Sequence, residues 1–92
     1  MDRVEAILER GRRARAALED ETVTEAMDYI AEQLQRQWRA TTASMTQRRE
    51  ELFHQIAAID STRAQLRRWV DDADFEIAKR EKAKERRFRV VR

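Results

Sequence analysis

One carboxylate and one imidazole stand at a spacing that metal chemistry uses. Glu51 and His54 form a Glu-x-x-His element, which would lie on one face of a helix, as in di-iron helix bundles. Such a centre needs two of these elements and further glutamates inside a bundle. Only a symmetric dimer could double the element, and the neighbouring Leu52 and Phe53 are typical of a helix-flank histidine. We therefore predict no metal site and no cofactor.

A second candidate is an acidic cluster, since several carboxylates together can bind a hard divalent cation. It consists of Asp71, Asp72, Asp74 and Glu76. No glycine stands at the turn that a calcium loop requires, so we interpret the cluster as a solvated face or as a partner for the basic residues that follow. The chain has no arrangement of nucleophile and base and no glycine-rich phosphate loop. The sequence predicts no enzyme.

The strongest polar feature is the basic C-terminal tail. Residues 79–92 contain eight bases and two acids, although the formal net charge of the chain is only +2. The bases could neutralise nucleic-acid phosphates or contact an acidic partner, and Phe88 could stack on a base. The alternative is a solubilising tail. The predicted contact residues are Lys79, Arg80, Lys82, Lys84, Arg86, Arg87, Arg89 and Arg92.

Composition restricts the fold that positions these residues. The 92 residues are 41% charged and 7% aromatic, with one Gly, no Pro and no Cys, a composition typical of long charged helices in one small domain. The absence of cysteine excludes disulfides and thiolate ligands. No apolar run approaches the roughly 18 residues that span a bilayer, and the charged N-terminus is not a secretory signal. We expect a soluble cytoplasmic all-α protein that does not contact a membrane.

One long helix, predicted from Ser44 to about Arg86, organises the chain. Eight of its ten heptad positions between Met45 and Ile77 are apolar, and Arg49 and Arg63 are the exceptions. A rod of this length cannot bury its stripe alone, so another helix or a second copy must cover it. The two arginines either fix register and oligomer state or reach outward along the seam with buried stems.

Two shorter helices are predicted before it. The stripe of residues 2–19 is thin and includes Gly11, either as a tolerated weak point, which we favour, or as a close helix crossing. Thr22 and Glu25 have the spacing of a capping box and would begin the second helix, whose apolar stripe ends at Trp38. The hydroxyl-rich stretch that follows predicts a turn, and short connections favour an antiparallel hairpin.

The second helix can cover the long helix only to about Leu66. Val70, Ala73 and Ile77 are left for the first helix or for another subunit, and we place the subunit or partner contact there. We expect a homo-oligomer or a complex with another helical protein, built from a hairpin and coiled-coil domain at 1–78 and the tail at 79–92. The predicted interface residues are Leu52, Ile56, Ile59, Leu66, Trp69, Val70 and Ile77.

Residues 18–30 and 37–69 together resemble small helical proteins encoded among the head and DNA-packaging genes of tailed phages and prophages. The shared features are an acidic turn before an apolar helix, a closing tryptophan, a hydroxyl-rich turn, an Arg-Glu start and a spaced apolar seam. They are carried by Trp38, Thr41, Thr42, Thr46, Arg49, Glu50, Ile56, Ile59 and Leu66.

The resemblance implies a non-enzymatic morphogenesis component of the host cytoplasm or virion. It would be a terminase small-subunit-like ring protein, a scaffold or a minor virion protein. No glycine-containing helix-turn-helix stands in residues 1–40, which counts against the terminase interpretation. Two alternatives stay open: a nucleic-acid-binding regulator that uses the tail together with Arg10 to Arg15, and a coiled-coil adaptor that binds another protein's helix.

Overall fold

A computed structural model gives the structure of the chain and describes residues 2–90. This part of the chain contains three α-helices and no strand: α1 (Arg3–Glu19), α2 (Glu21–Arg39) and α3 (Thr46–Val90). The predictions of an all-α fold and of one long C-terminal helix are confirmed. At 45 residues, α3 passes Arg86 and continues along the basic tail to Val90. No helix between residues 2 and 90 is long and apolar enough to cross a membrane.

The helices α1 and α2 follow one another along α3 and run antiparallel to it. Gly11 of α1 meets Ala73, whereas Gln37 near the end of α2 accepts a hydrogen bond from Arg48. Residues later in the segment formed by α1 and α2 thus contact residues earlier in α3. The molecule is a hairpin of 72 × 25 × 23 Å, in which one limb is continuous and the other is interrupted at Asp20.

Asp20 both ends α1 and begins α2. Its backbone N–H donates to the carbonyl oxygen of Ala17 at 3.3 Å, and its carboxylate accepts from the backbone N–H of Val23 at 3.1 Å, as an N-cap does. The prediction of a capping box at Thr22 and Glu25 is wrong, because Asp20 supplies the cap and Thr22 already lies in the first turn of α2.

The α1 helix crosses α3 closely at Gly11. Gly11 is buried, and a Cβ atom there would lie 2.2 Å from the Cβ of Ala73 and 3.0 Å from the carbonyl oxygen of Trp69. Ala14 and Ala73 are also buried. Gly11 is therefore a close helix crossing, and the favoured interpretation as a weak point is wrong. Of the two alternatives for 70–77, the first helix or another subunit, the structure shows that α1 covers part of this segment at Ala73; a subunit contact there stays a prediction.

The α2 helix packs more loosely than α1, although its apolar stripe is the clearest of the three. None of its residues is fully buried, and Ile30 keeps 45% of its surface exposed. Among residues 2–90, the buried hydrophobic side chains are Ala14, Leu52 and Ala73. The core is therefore a thin line along α3.

Gly11→Ala should destabilise the fold, although alanine is favoured over glycine in a helix by about 1 kcal/mol. The new methyl group would overlap Ala73, and such overpacking costs about 1–3 kcal/mol. Urea unfolding followed by circular dichroism measures the change. Gly11→Ala combined with Ala73→Gly should be less destabilised than the sum of the single variants. Additive effects, or stabilisation by Gly11→Ala, would contradict the close crossing.

Asp20→Ala should lower the free energy of unfolding by about 0.5–2 kcal/mol, the usual cost of losing an N-cap. Thr22→Ala is the matched control and should change it by less than about 0.5 kcal/mol, because Thr22 is exposed and follows the cap. Denaturant titration of both variants compares the two effects. A larger loss at Thr22 than at Asp20 would restore the capping-box prediction.

Candidate interaction surfaces

Glu51 and His54 are exposed on the surface of α3. The carboxylate of Glu51 lies 3.4 Å from the guanidinium of Arg48, and the His54 ring stands edge-on to Phe53 with 5.7 Å between centroids. Between residues 2 and 90, no group of three or more His, Cys, Asp or Glu is arranged to hold a metal ion. This geometry agrees with the interpretation of His54 as a helix-flank residue.

The acidic cluster of α3 is partly occupied by ion pairs. Asp74 accepts two hydrogen bonds from the guanidinium of Arg15, at 2.9 and 3.1 Å, and thereby joins α3 to α1. Glu76 lies 3.3 Å from the ammonium of Lys79, so the cluster also contacts the start of the tail. Sequence spacing did not indicate the Arg15 contact, because its two residues stand 59 positions apart.

Arg49 and Arg63 lie at the edge of the contact between α2 and α3. The guanidinium of Arg49 is 4.3 Å from the ring centroid of Trp38, which is cation–π geometry, and Arg63 donates to Asp28 at 2.7 Å. Both Nε atoms are buried and have no hydrogen-bond partner within the described residues. The stems are thus covered while the charged ends reach the surface. That these two arginines fix the register and oligomer state of the seam stays a prediction.

Four arginines lie near the middle of α1, at positions 10, 12, 13 and 15, and Glu9 forms ion pairs with two of them. Arg12 lowers the pKa of Glu9 to about 2 by donating two hydrogen bonds, at 2.7 and 3.0 Å, and Arg13 adds a third at 3.1 Å. The pairing in turn raises the pKa of Arg12. Glu9 therefore stays ionised in all but strongly acidic solution and offsets part of the positive charge of both arginines.

The other two arginines of this group also have contacts within the chain. The guanidinium of Arg10 lies 5.2 Å from the ring centroid of Trp69, and Arg15 is bound to Asp74. Arg10 to Arg15 are thus used largely to attach α1 to α3 and to stabilise α1 itself. They are a weaker candidate for a phosphate-binding surface than the tail.

Six of the seven predicted interface residues keep exposed surface, and Leu52 does not. The side chain of Leu52 is 0% exposed, so a second chain could reach it only if α2 and α3 separated. Leu66 and Trp69 line a groove of about 400 Å³ between α1 and α3, and Ile77 keeps 48% of its surface exposed. The partly or fully exposed residues are Ile56, Ile59, Leu66, Trp69, Val70 and Ile77.

The structure adds apolar side chains that the predicted interface did not include. Phe53 is 61% exposed and lines a groove with Trp38 and Ile56. Tyr29 and Ile30 are exposed on α2. Their positions in the sequence could have indicated this exposure. Phe53 follows the seam residue Leu52, and Tyr29 precedes Ile30 of the α2 stripe, so both lie beside the buried side of their helix.

The tail residues 79–89 are helical and exposed. The ammonium of Lys84 lies 3.9 Å from Glu81, and Lys79 is shared with Glu76. Within residues 2–90, the other predicted contact residues form no ion pair with a carboxylate; these are Arg80, Lys82, Arg86, Arg87 and Arg89. Arg92 lies outside the described residues.

Comparison of the chain with protein-family models, with curated proteins and with solved structures gave no match. Its function therefore has to be argued from the two kinds of surface just described. One is apolar and lies along the flanks of the hairpin, and the other is basic and lies at the end of α3.

Arg63→Met should leave the free energy of unfolding unchanged or raise it by about 1–2 kcal/mol. The exposed pair with Asp28 is worth about 0–1 kcal/mol, whereas an unpaired buried polar atom costs about 1–3 kcal/mol. Urea unfolding measures the change, with Arg67→Met, an exposed site one turn away, as control. A loss above about 1 kcal/mol would contradict this account, and a changed oligomer mass in sedimentation would support the register role.

Proposed function

We propose that this chain is a non-enzymatic assembly protein that works by association of its helices into a homo-oligomer. Its basic tail provides a second contact, to nucleic acid or an acidic partner. The resemblance of residues 18–30 and 37–69 to head and packaging proteins makes tailed-phage or prophage assembly the setting that we propose. A scaffold or minor virion component suits residues 1–40 better than a terminase small subunit, since they lack a glycine-containing helix-turn-helix.

The observation that carries this proposal is the surface area that the single chain leaves in water. The chain exposes 7765 Å², whereas a compact monomer of 11.0 kDa exposes about 5,600 Å². The excess of about 2,000 Å² is larger than the roughly 800 Å² that each partner buries in a standard protein interface. A second copy could therefore cover the exposed flanks without any change in the hairpin.

Exposed apolar side chains lie at both ends of the hairpin. Ile30 and Tyr29 project from α2, Phe53 projects from α3, and Met45 lies in the turn before α3. A second group lies further along α3, at Phe75, Ile77 and Phe88. The strong amphipathic pattern of α2 is one that helices use to cover a core, yet no residue of α2 is fully buried. This half of the hairpin is where we expect the subunit contact.

A second copy is the occupant that the charge and symmetry of the chain favour. The formal net charge is only +2, so two copies repel each other weakly. In a two-fold dimer the same patch is buried on both subunits, which doubles the apolar area gained from each exposed residue. An adaptor that binds a foreign helix would use the same flanks, and the mass of the isolated protein separates the two functions.

Sedimentation at tens of micromolar should give a mass of at least two chains. Phe53→Glu and Ile30→Glu should each shift the protein toward the monomer, because a charge in a buried interface costs several kcal/mol. Gln47→Glu is the matched control, since it adds the same charge at an exposed position of α3, and should keep the oligomer. A strictly monomeric wild type would contradict the proposal and favour the adaptor.

A further inference from the structure

The tail continues α3 as a regular helix, and this sorts its bases onto one side. Lys79, Lys82, Arg86 and Arg89 stand at spacings of three, four and three residues, which puts them on one face of a helix. We refer to these four residues as the basic face. Arg80 and Arg87 flank it along one edge. All of these side chains are exposed.

The opposite side of the tail has a different composition. Ile77, Glu81, Lys84 and Phe88 stand at spacings of four, three and four residues, with Glu85 beside them. Glu81 thus lies away from the basic face, whereas Glu85 stands three residues after Lys82 and four before Arg89 and borders the face on the edge opposite Arg80 and Arg87. Lys84, the one base among these four residues, lies 3.9 Å from the carboxylate of Glu81, so part of its charge is offset.

The cations of the basic face are less engaged than those of α1. Lys79 is shared with Glu76 at 3.3 Å, whereas Lys82, Arg86 and Arg89 form no ion pair with any carboxylate in the part of the chain that the structure describes. These three residues stand within about two helical turns at 1.5 Å per residue. They are therefore a compact row of available positive charge on a preformed helix.

The chemistry of this face favours nucleic acid over an acidic protein. Protein interfaces have an apolar and aromatic core, but between residues 79 and 89 the apolar residues are Ala83 and, on the side opposite the basic face, Phe88. Nucleic-acid interfaces are instead polar and strongly positive. Single-stranded binding sites also need aromatic stacking platforms, and Phe88 points away from the cations. The partner that remains is the phosphate backbone of a duplex.

We propose that the tail binds duplex DNA through its basic face, with Lys82, Arg86 and Arg89 on phosphates and the side of Glu81 and Phe88 turned away. A helix with side chains is about 10–12 Å across, close to the width of about 12 Å of the major groove. This inference rests on the proposed function in one respect: it specifies the partner that the basic tail contacts. The contact carries no base specificity, because phosphate contacts position a protein without reading sequence.

The pair Lys82→Gln and Lys84→Gln tests the face directly, since each variant removes one positive charge from neighbouring positions on opposite sides. Binding to a labelled duplex of about 20 base pairs is followed by fluorescence anisotropy in about 0.05–0.2 M salt. Lys82→Gln should weaken binding about eightfold or more in 0.1 M salt and reduce the salt slope by about 1. Lys84→Gln should change the affinity by less than about twofold. Both positions are exposed, and circular dichroism checks that helicity is kept.

Three results would overturn the inference: no salt-dependent binding to the duplex, equal losses in both variants, or tighter binding to single-stranded DNA or poly-glutamate than to the duplex. The mass of each sample, measured by sedimentation, keeps this test apart from the proposed oligomer. An oligomer that fails to bind the duplex rejects the DNA contact alone. A monomer that binds it through the basic face rejects the oligomer alone.

Discussion

A hairpin two helices thick has no interior, and every other property of this molecule depends on that constraint. Each helix can be covered along one stripe by its neighbour, while both flanks of that stripe stay in water. The buried hydrophobic side chains of residues 2–90 are accordingly few and lie in one line, at Ala14, Leu52 and Ala73. The apolar flanks of the same contacts remain accessible, so the shape that leaves the core thin also supplies a surface for association.

The two halves of the interrupted limb meet this constraint in different ways. In α1 the buried positions are small, Gly11 and Ala14, and Gly11 lets the backbones approach until Ala73 fills the space; close approach increases dispersion contacts. In α2 the stripe is made of large side chains such as Met27 and Trp38, which stay partly exposed. The strongest apolar periodicity therefore does not mark the tightest packing, since no residue of α2 is fully buried.

Local patterns in the sequence were sufficient for the all-α fold, the long helix and the stripe of α2, because periodicity reports which side of a helix is apolar. They were insufficient for contacts between distant residues. The role of Gly11 depends on Ala73, and that of Arg15 on Asp74, so neither can be inferred from its own neighbourhood. The prediction of the N-cap of α2 was wrong for a different reason. Asp20 and Thr22 are both good N-caps, and which of them caps α2 depends on where α1 ends.

The basic residues also show that local sequence patterns do not reveal contacts between distant residues. Residues 10–15 contain four bases and the tail contains eight, and their available charge differs further because the carboxylates are placed differently. Glu9 lies three and four residues before Arg12 and Arg13 and binds both, and α3 contributes Asp74 to Arg15.

Arg89 can share one side of a helix with Lys82 and Arg86 only if α3 continues past Arg86. Arginine and lysine have high helix propensity, which favours this continuation. Once α3 continues, Glu81 lies on the side away from the basic face and Glu85 lies at its edge. Within residues 2–90, Lys82, Arg86 and Arg89 form no ion pair with a carboxylate. Exposed apolar side chains lie on α2 and the part of α3 beside it, and also at Phe75 and Ile77 directly before the basic face. An oligomer built through the first group would leave the basic face free for an anionic partner.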